Sequence, residues 1–140
     1  MTKQADKHRK LSIVITKTDF DRLWRLAEAY EARDREVAQE LMSELDRARV
    51  VEDRRIPDGV IRMGSAVRYE SDHGVRTVTL VFPGEADIAS GRVSILTPIG
   101  AALLGLSAGQ SIAWNARDGK AHILRVFDVE QAQASASSAI

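Results

Sequence analysis

The feature that most limits the fold of this chain is a change of character near residue 60. Residues 1–60 carry 13 basic and 13 acidic side chains, so 26 of 60 positions are charged, whereas residues 61–140 carry 7 and 7, or 14 of 80. A stretch so rich in mixed charge reads as exposed helix, and one so poor in it reads as a compact β-rich unit. Two segments with different physics are therefore joined in 140 residues, a length that holds one domain or two very small ones.

The charge balance also narrows the partners. Lys+Arg and Asp+Glu number 20 each, the net charge is zero and the pI is near 6.8. Such a chain lacks the diffuse basic footprint of a protein held to nucleic acid by phosphate contacts, so independent DNA binding is not expected, and neither is attraction to an anionic membrane. With no cysteine, a disulfide framework, a Cys-type zinc site and a thiol nucleophile are all excluded. No apolar run is long enough to span a bilayer, and the basic leader over residues 1–10 (Lys3, Lys7, Arg9, Lys10) leads only into Leu11, Ile13, Val14 and Ile15. That is too little for a signal peptide, and a cytoplasmic location is expected.

Residues 18–31 place Phe20, Leu23, Trp24, Ala27 and Tyr30 at spacings of three and four, the period of one helical face, with Trp24 and Tyr30 read as core. Thr18 followed by Asp21 fits a capping box. A second stripe, Val37, Leu41, Leu45 and Ala48, runs through residues 36–50, and Glu31 to Arg35 between them allows only a tight reversal. Two helices joined so closely must lie antiparallel, with arms of roughly 20 Å. Residues 11–50 thus read as a short helical hairpin, its base tied down by Leu11 to Ile15 as a brief strand or strap. Residues 51–60, polar with one Pro and one Gly, read as a connector.

From residue 61 the period becomes two. Val67 and Tyr69 alternate with Ala66 and Arg68, Ser71-Asp72-His73-Gly74 supplies a turn, and Val78, Leu80 and Phe82 continue the alternation, so a β-hairpin is expected. Arg92 to Leu96 reads as a third strand. Thr97-Pro98 opens a short apolar helix that Gly105 ends. Ser111 to Trp114 and Ala121 to Val129 pair across Asp118-Gly119. Residues 132–140 have the composition of a disordered tail. The fold class expected is α+β: a helical hairpin, then an antiparallel sheet with one short helix over residues 61–131.

The block Ser94-Ile-Leu-Thr-Pro-Ile-Gly-Ala-Ala-Leu-Leu-Gly-Leu, followed by Gly109-Gln110-Ser111-Ile112, resembles the central signature of the C-terminal domain of Gre-type bacterial transcription elongation factors. Leu45-Asp46-Arg47-Ala48 before the connector, Val78-Thr79-Leu80-Val81-Phe82-Pro83 after it and the shortness of the hairpin resemble more specifically the nucleoside diphosphate kinase regulator (Rnk) family. Gln110 stands where that family commonly has Asp. The resemblance implies an FKBP-like fold for the globular half. It implies binding to RNA polymerase near the mouth of the secondary channel, the hairpin pointing inward, and a monomer is expected. In Gre cleavage factors, paired acids at the tip of a longer hairpin help hold a second catalytic Mg²⁺, and a pair of carboxylates suits that cation.

In this chain the matching acids are Asp34 and Glu36, but Arg33 and Arg35 interleave with them and the arms are short. The expectation is a non-catalytic regulator that competes with Gre cleavage factors and carries no cofactor. Its polymerase-binding candidates are Asp34 and Glu36 at the tip and Thr97, Pro98, Ile99 and Gly100 at the helix start. Two other readings stay open: a cleavage factor, or a prolyl isomerase or peptide-binding module, for which the globular half offers only Tyr69, Phe82, Trp114 and Phe127 as aromatics. His8, His73 and His122 lack metal spacing, no serine sits in a Gly-x-Ser-x-Gly elbow, and no P-loop lysine follows the glycines.

Overall fold

In the computed structural model, which describes residues 13–115 and 119–131 without the side chains of Trp114 and Asn115, strand β1 (Val14–Thr16) runs directly into helix α1 (Lys17–Tyr30). Thr16 is still extended, at φ −72° and ψ 153°, and its hydroxyl accepts the Asp19 N–H at 3.1 Å, which caps the helix. The expected cap at Thr18 is therefore corrected by two positions. Thr18 is already helical, because the strand pairing of Thr16 lets the helix begin at Lys17. Helix α2 (Arg35–Arg47) opens on Asp34, whose Oδ1 accepts the Val37 N–H at 3.2 Å.

The second helix stops short of residue 50. Arg49-Val50-Val51 forms strand β2 (Arg49–Val51), parallel to β1 and in register with it from Val14 opposite Arg49 to Thr16 opposite Val51. Two consecutive β-branched valines favour the strand, and the Arg49 N–H finds the Ile13 carbonyl at 2.9 Å. A 3-10 turn over Asp53–Arg55 follows.

Across the main sheet the strands lie in the order Arg92–Ser94 (β5), Gly74–Val81 (β4), Ala66–Ser71 (β3), Ala121–Glu130 (β7) and Ser111–Asn115 (β6). Strands β3 (Ala66–Ser71) and β4 (Gly74–Val81) form the expected hairpin, with Ser71 paired to Gly74 across Asp72-His73 and Gly74 at φ +98°, where a side chain would be strained. Two 3-10 turns, Pro83–Glu85 and Ile88–Ser90, carry the chain to β5 (Arg92–Ser94), which lies parallel to β4. The sheet is thus mixed, not wholly antiparallel. The loop through residues 82–91 doubles back until Arg92 lies opposite Thr79, alongside the last residues of β4, and such a return produces a parallel neighbour. Helix α3 (Pro98–Leu103) leads to β6 (Ser111–Asn115) and β7 (Ala121–Glu130), which pair antiparallel, β7 also lying against β3. Of the expected β6–β7 turn, Asp118 falls outside the described residues, as do the basic leader and the tail over residues 132–140.

One buried cluster joins both halves of the chain. Ile13 just before β1, Ile15 within it, Leu23 and Ala27 from α1 and Leu41 and Leu45 from α2 share it with Val67, Leu80, Ile95, Leu103 and Leu124. Phe20 and Trp24 are half-buried against it, while Tyr30 is not part of it. The core reading of Tyr30 is corrected: its ring lies at the end of α1, where the Arg33 guanidinium stands 5.4 Å from its centroid. Gln110 keeps a local side-chain cap at its turn, its Oε1 accepting the Ser107 N–H at 2.8 Å.

Candidate functional site

The hairpin tip is built by backbone bonds. The amides of Arg33 and Asp34 both donate to the Tyr30 carbonyl at 2.9 Å and close the reversal. Residues 31–36 are all exposed. Asp34 sits at the N-cap and Glu36 in the first turn of α2, where negative charge opposes the positive end of the helix dipole. One oxygen of Asp34 is engaged at Val37, and the two acids share a helix start. Among the described residues no cluster of three or more His, Asp or Glu side chains is disposed to hold a metal ion.

The second candidate group, at the start of α3, is held from beneath. Thr97 caps the helix by accepting the Gly100 N–H at 3.1 Å and donates its hydroxyl proton to the Ser94 carbonyl at 2.7 Å. Pro98 occupies the first helical position, where its missing N–H is no loss. Thr97, Pro98 and Ile99 are half-buried and can be touched by a partner; Gly100 is buried. A Cβ on Gly100 would run into the Ser94 carbonyl and stand 3.0 Å from the Ile95 Cα, so this glycine is required by packing. The structure places the two candidate groups on separate elements, the tip between α1 and α2 and the block on α3.

Two groupings were not legible in the sequence. Asp19 is 9% exposed, and its Oδ2 accepts the N–H of Met63, 44 residues away. Burial pushes its carboxyl above the usual range, opposed by the Met63 hydrogen bond and by Arg62 and Arg22, with Asp53 adding to the rise. At the far end of the sheet, His122 Nδ1 lies 2.9 Å from Asp72 Oδ2 and the His73 ring 6.0 Å from that of His122. The His122 contact holds the exposed Asp72 carboxyl below its ordinary range. Tyr69 is buried, Phe82 lies under the Arg22 guanidinium at 4.3 Å, and Phe127 carries Arg68 at 5.3 Å and Arg125 at 5.7 Å.

The Asp19 arrangement has a signed pH consequence. A carboxyl raised in the folded state holds its proton over a window just above the ordinary carboxylate pKa, where the unfolded chain has released it. Folding stability therefore falls as pH rises through that window, and the penalty is complete above it. Asp19→Asn keeps an oxygen for the Met63 N–H and removes the titration. It should be no less stable than the parent at pH 7 and should gain less on acidification to pH 4, as read from urea midpoints at the two pH values.

Comparison with known proteins adds a lineage to this geometry. Residues 56–131 match the family model described as transcription elongation factor, GreA/GreB, C-term, and residues 12–51 match that described as Rnk N-terminus. The regulator of nucleoside diphosphate kinase of Escherichia coli strain K12 is 36% identical over 121 residues, which cover 85% of this chain and 89% of that protein. Transcription elongation factor GreA of Rhodospirillum rubrum is 30% identical over 124 residues, 84% of this chain and 79% of its own. Among solved structures, the prokaryotic transcription elongation factor GreA/GreB from Nitrosomonas europaea superposes with a TM-score of 0.70 at 35% identity, covering 85% of this chain and 99% of that one.

Proposed function

The chain belongs to the GreA/GreB transcription elongation factor family and, through its N-terminal half, to the Rnk group, and from that premise we propose that it is a non-catalytic regulator of transcription. It binds RNA polymerase as a monomer at the secondary channel and competes there with Gre cleavage factors. The globular half, read as FKBP-like, anchors through Thr97, Pro98 and Ile99, and the short hairpin enters as a plug led by Asp34 and Glu36.

The observation that carries this reading is the tip. A cleavage-stimulating tip needs two carboxylates free to share a divalent cation. Here Asp34 is tied to the Val37 amide, Arg33 and Arg35 interleave with the acids, and α2 is 13 residues, about 20 Å long.

The test is a titration of the full chain against a labelled Gre factor on core polymerase, with stalled, backtracked complexes followed in parallel. The labelled factor should be displaced and the RNA should keep its length. Asp34→Arg with Glu36→Arg should weaken displacement more at low salt than at high salt, since exposed charges are screened beyond ~10 Å at 0.1 M ionic strength. If saturating protein leaves the labelled factor bound, the secondary-channel assignment fails. RNA shortening that disappears in Asp34→Ala with Glu36→Ala would make the protein a cleavage factor.

A further inference from the structure

We propose that the base of the hairpin is a two-point joint that fixes its direction against the sheet, with Ile13 seated on Gly105 at one point and the Asp19 carboxylate holding the Met63 amide at the other. The joint is a positioning device for the tip; only the identity of what the tip meets rests on the polymerase reading above.

The first point is steric. Strand β1 lies between β2 and the turn after α3: the Arg49 N–H donates to Ile13 on one side, and the Val14 N–H donates to the Gly105 carbonyl at 3.4 Å on the other. Gly105 is held at φ +81°, and a Cβ there would stand 2.6 Å from the Ile13 Cβ and 3.4 Å from its Cα. The strap enters only because residue 105 has no side chain. Ile13 and Ile15, each 2% exposed, then bury themselves in the shared core.

The second point is polar. Asp19 lies in the first turn of α1, and its bond to Met63 at 3.1 Å crosses from the hairpin to the segment that enters β3. The Thr18 N–H adds an exposed bond to Asp53 Oδ1 at 3.1 Å. The receiving segment is itself fastened. Ile61 N–H donates to Leu106 at 2.8 Å, Gly64 N–H to Leu80 at 2.7 Å, and Gln131 Nε2 to the Val60 carbonyl at 2.8 Å.

The two points fall on stretches of the globular half more than 40 residues apart in sequence, at residues 63 and 105. Rotation about either alone is resisted by the other. A hinge would instead place the φ/ψ change in a few loop residues with few ties. The lever makes the angle consequential: along an arm of ~20 Å, a swing of about 15° moves the tip by about 5 Å.

The chain has no cysteine, so spin labels can be placed at will. Labels on Arg33→Cys at the tip and Thr77→Cys on the exposed face of β4 report the angle in the free, full-length protein. The expected result is one narrow distance distribution. Asp19→Ala should broaden it while the far-ultraviolet circular dichroism keeps its helical signal, and Asp19→Asn, which keeps the acceptor, should restore it. Gly105→Ala should broaden or shift it through the other point. A broad distribution in the parent protein, or a narrow one unchanged in both Asp19→Ala and Gly105→Ala, overturns the joint. Because the measurement is made without polymerase, failure here leaves the polymerase reading standing, and failure of the competition assay leaves the joint standing.

Discussion

Gly100→Val should destabilise the fold by about 3 kcal/mol or more, lowering the thermal midpoint by roughly 10 °C. The site allows little relaxation. The Ser94 carbonyl that a new Cβ would strike already accepts the Thr97 hydroxyl at 2.7 Å and the Thr97 N–H at 3.0 Å. Displacing it loosens the cap of α3, whose Ala102 and Leu103 are buried in the core, and the preceding Ile95 is buried as well. A β-branched side chain also restricts χ1 against the preceding turn of a helix. Thermal denaturation of the purified variant measures the loss; a midpoint within a degree or two of the parent would show that the α3 start can shift freely. The same result bears on function. Gly100 was a candidate contact by its place in the signature block, yet its burial makes it a requirement of packing. Tests of polymerase contact at this block therefore belong to Pro98 and Ile99, which are half-buried.

The elements legible in the sequence are those whose signal is local. Leu23, Ala27, Leu41 and Leu45 repeat at the helical period, and Asp34 could be placed at the turn because the reversal leaves few positions for it. Thr97-Pro98 and Gly105 announced α3 at both ends, since an N-cap, a first-position proline and a left-handed glycine each need no distant partner. What was missed depends on residues far away. Arg49-Val50-Val51 is too short to outweigh the helical stripe before it, and it becomes a strand because β1 is waiting beside it. The parallel placement of β5 follows from where the loop through residues 82–91 returns, which no periodicity records.

The site shows the same division. The tip acids and the Thr97 cap could be read, because charge and capping are local. Asp19 could not, because an acid in the first turn already has a sufficient local reason in the helix dipole, and its partner Met63 is reached only through the fold. Thr16 three residues before it was the one available sign, and the pattern Thr18 to Asp21 competed with it. The His73 and His122 rings likewise meet only because the β3–β4 turn stands beside the start of β7.

Leu41→Ala tests how far the two halves of the chain behave as one. Leu41 is 1% exposed on the inner face of α2, and truncating a leucine at such a site removes transfer free energy and leaves a cavity, a cost of about 2–5 kcal/mol. Were the hairpin an independent unit, that loss would fall on the helices alone, and a hairpin so short would melt first while the sheet stayed intact. The packing argues otherwise. Leu41 and Leu45 share their cluster with Leu103, Val67 and Leu124, and α2 lies against α3. Helix and sheet should therefore unfold in one transition, shifted as a whole to lower denaturant. The two can be watched separately: ellipticity at the helical band follows the hairpin, and amide exchange in β3 and β4 follows the sheet. Coincident midpoints in parent and variant, both moved by the same amount, are the expected outcome. A variant in which the helical signal is lost while the exchange protection of β3 and β4 is retained would mean that the sheet closes its core without the hairpin, and the continuity of the buried cluster would then carry no cooperativity.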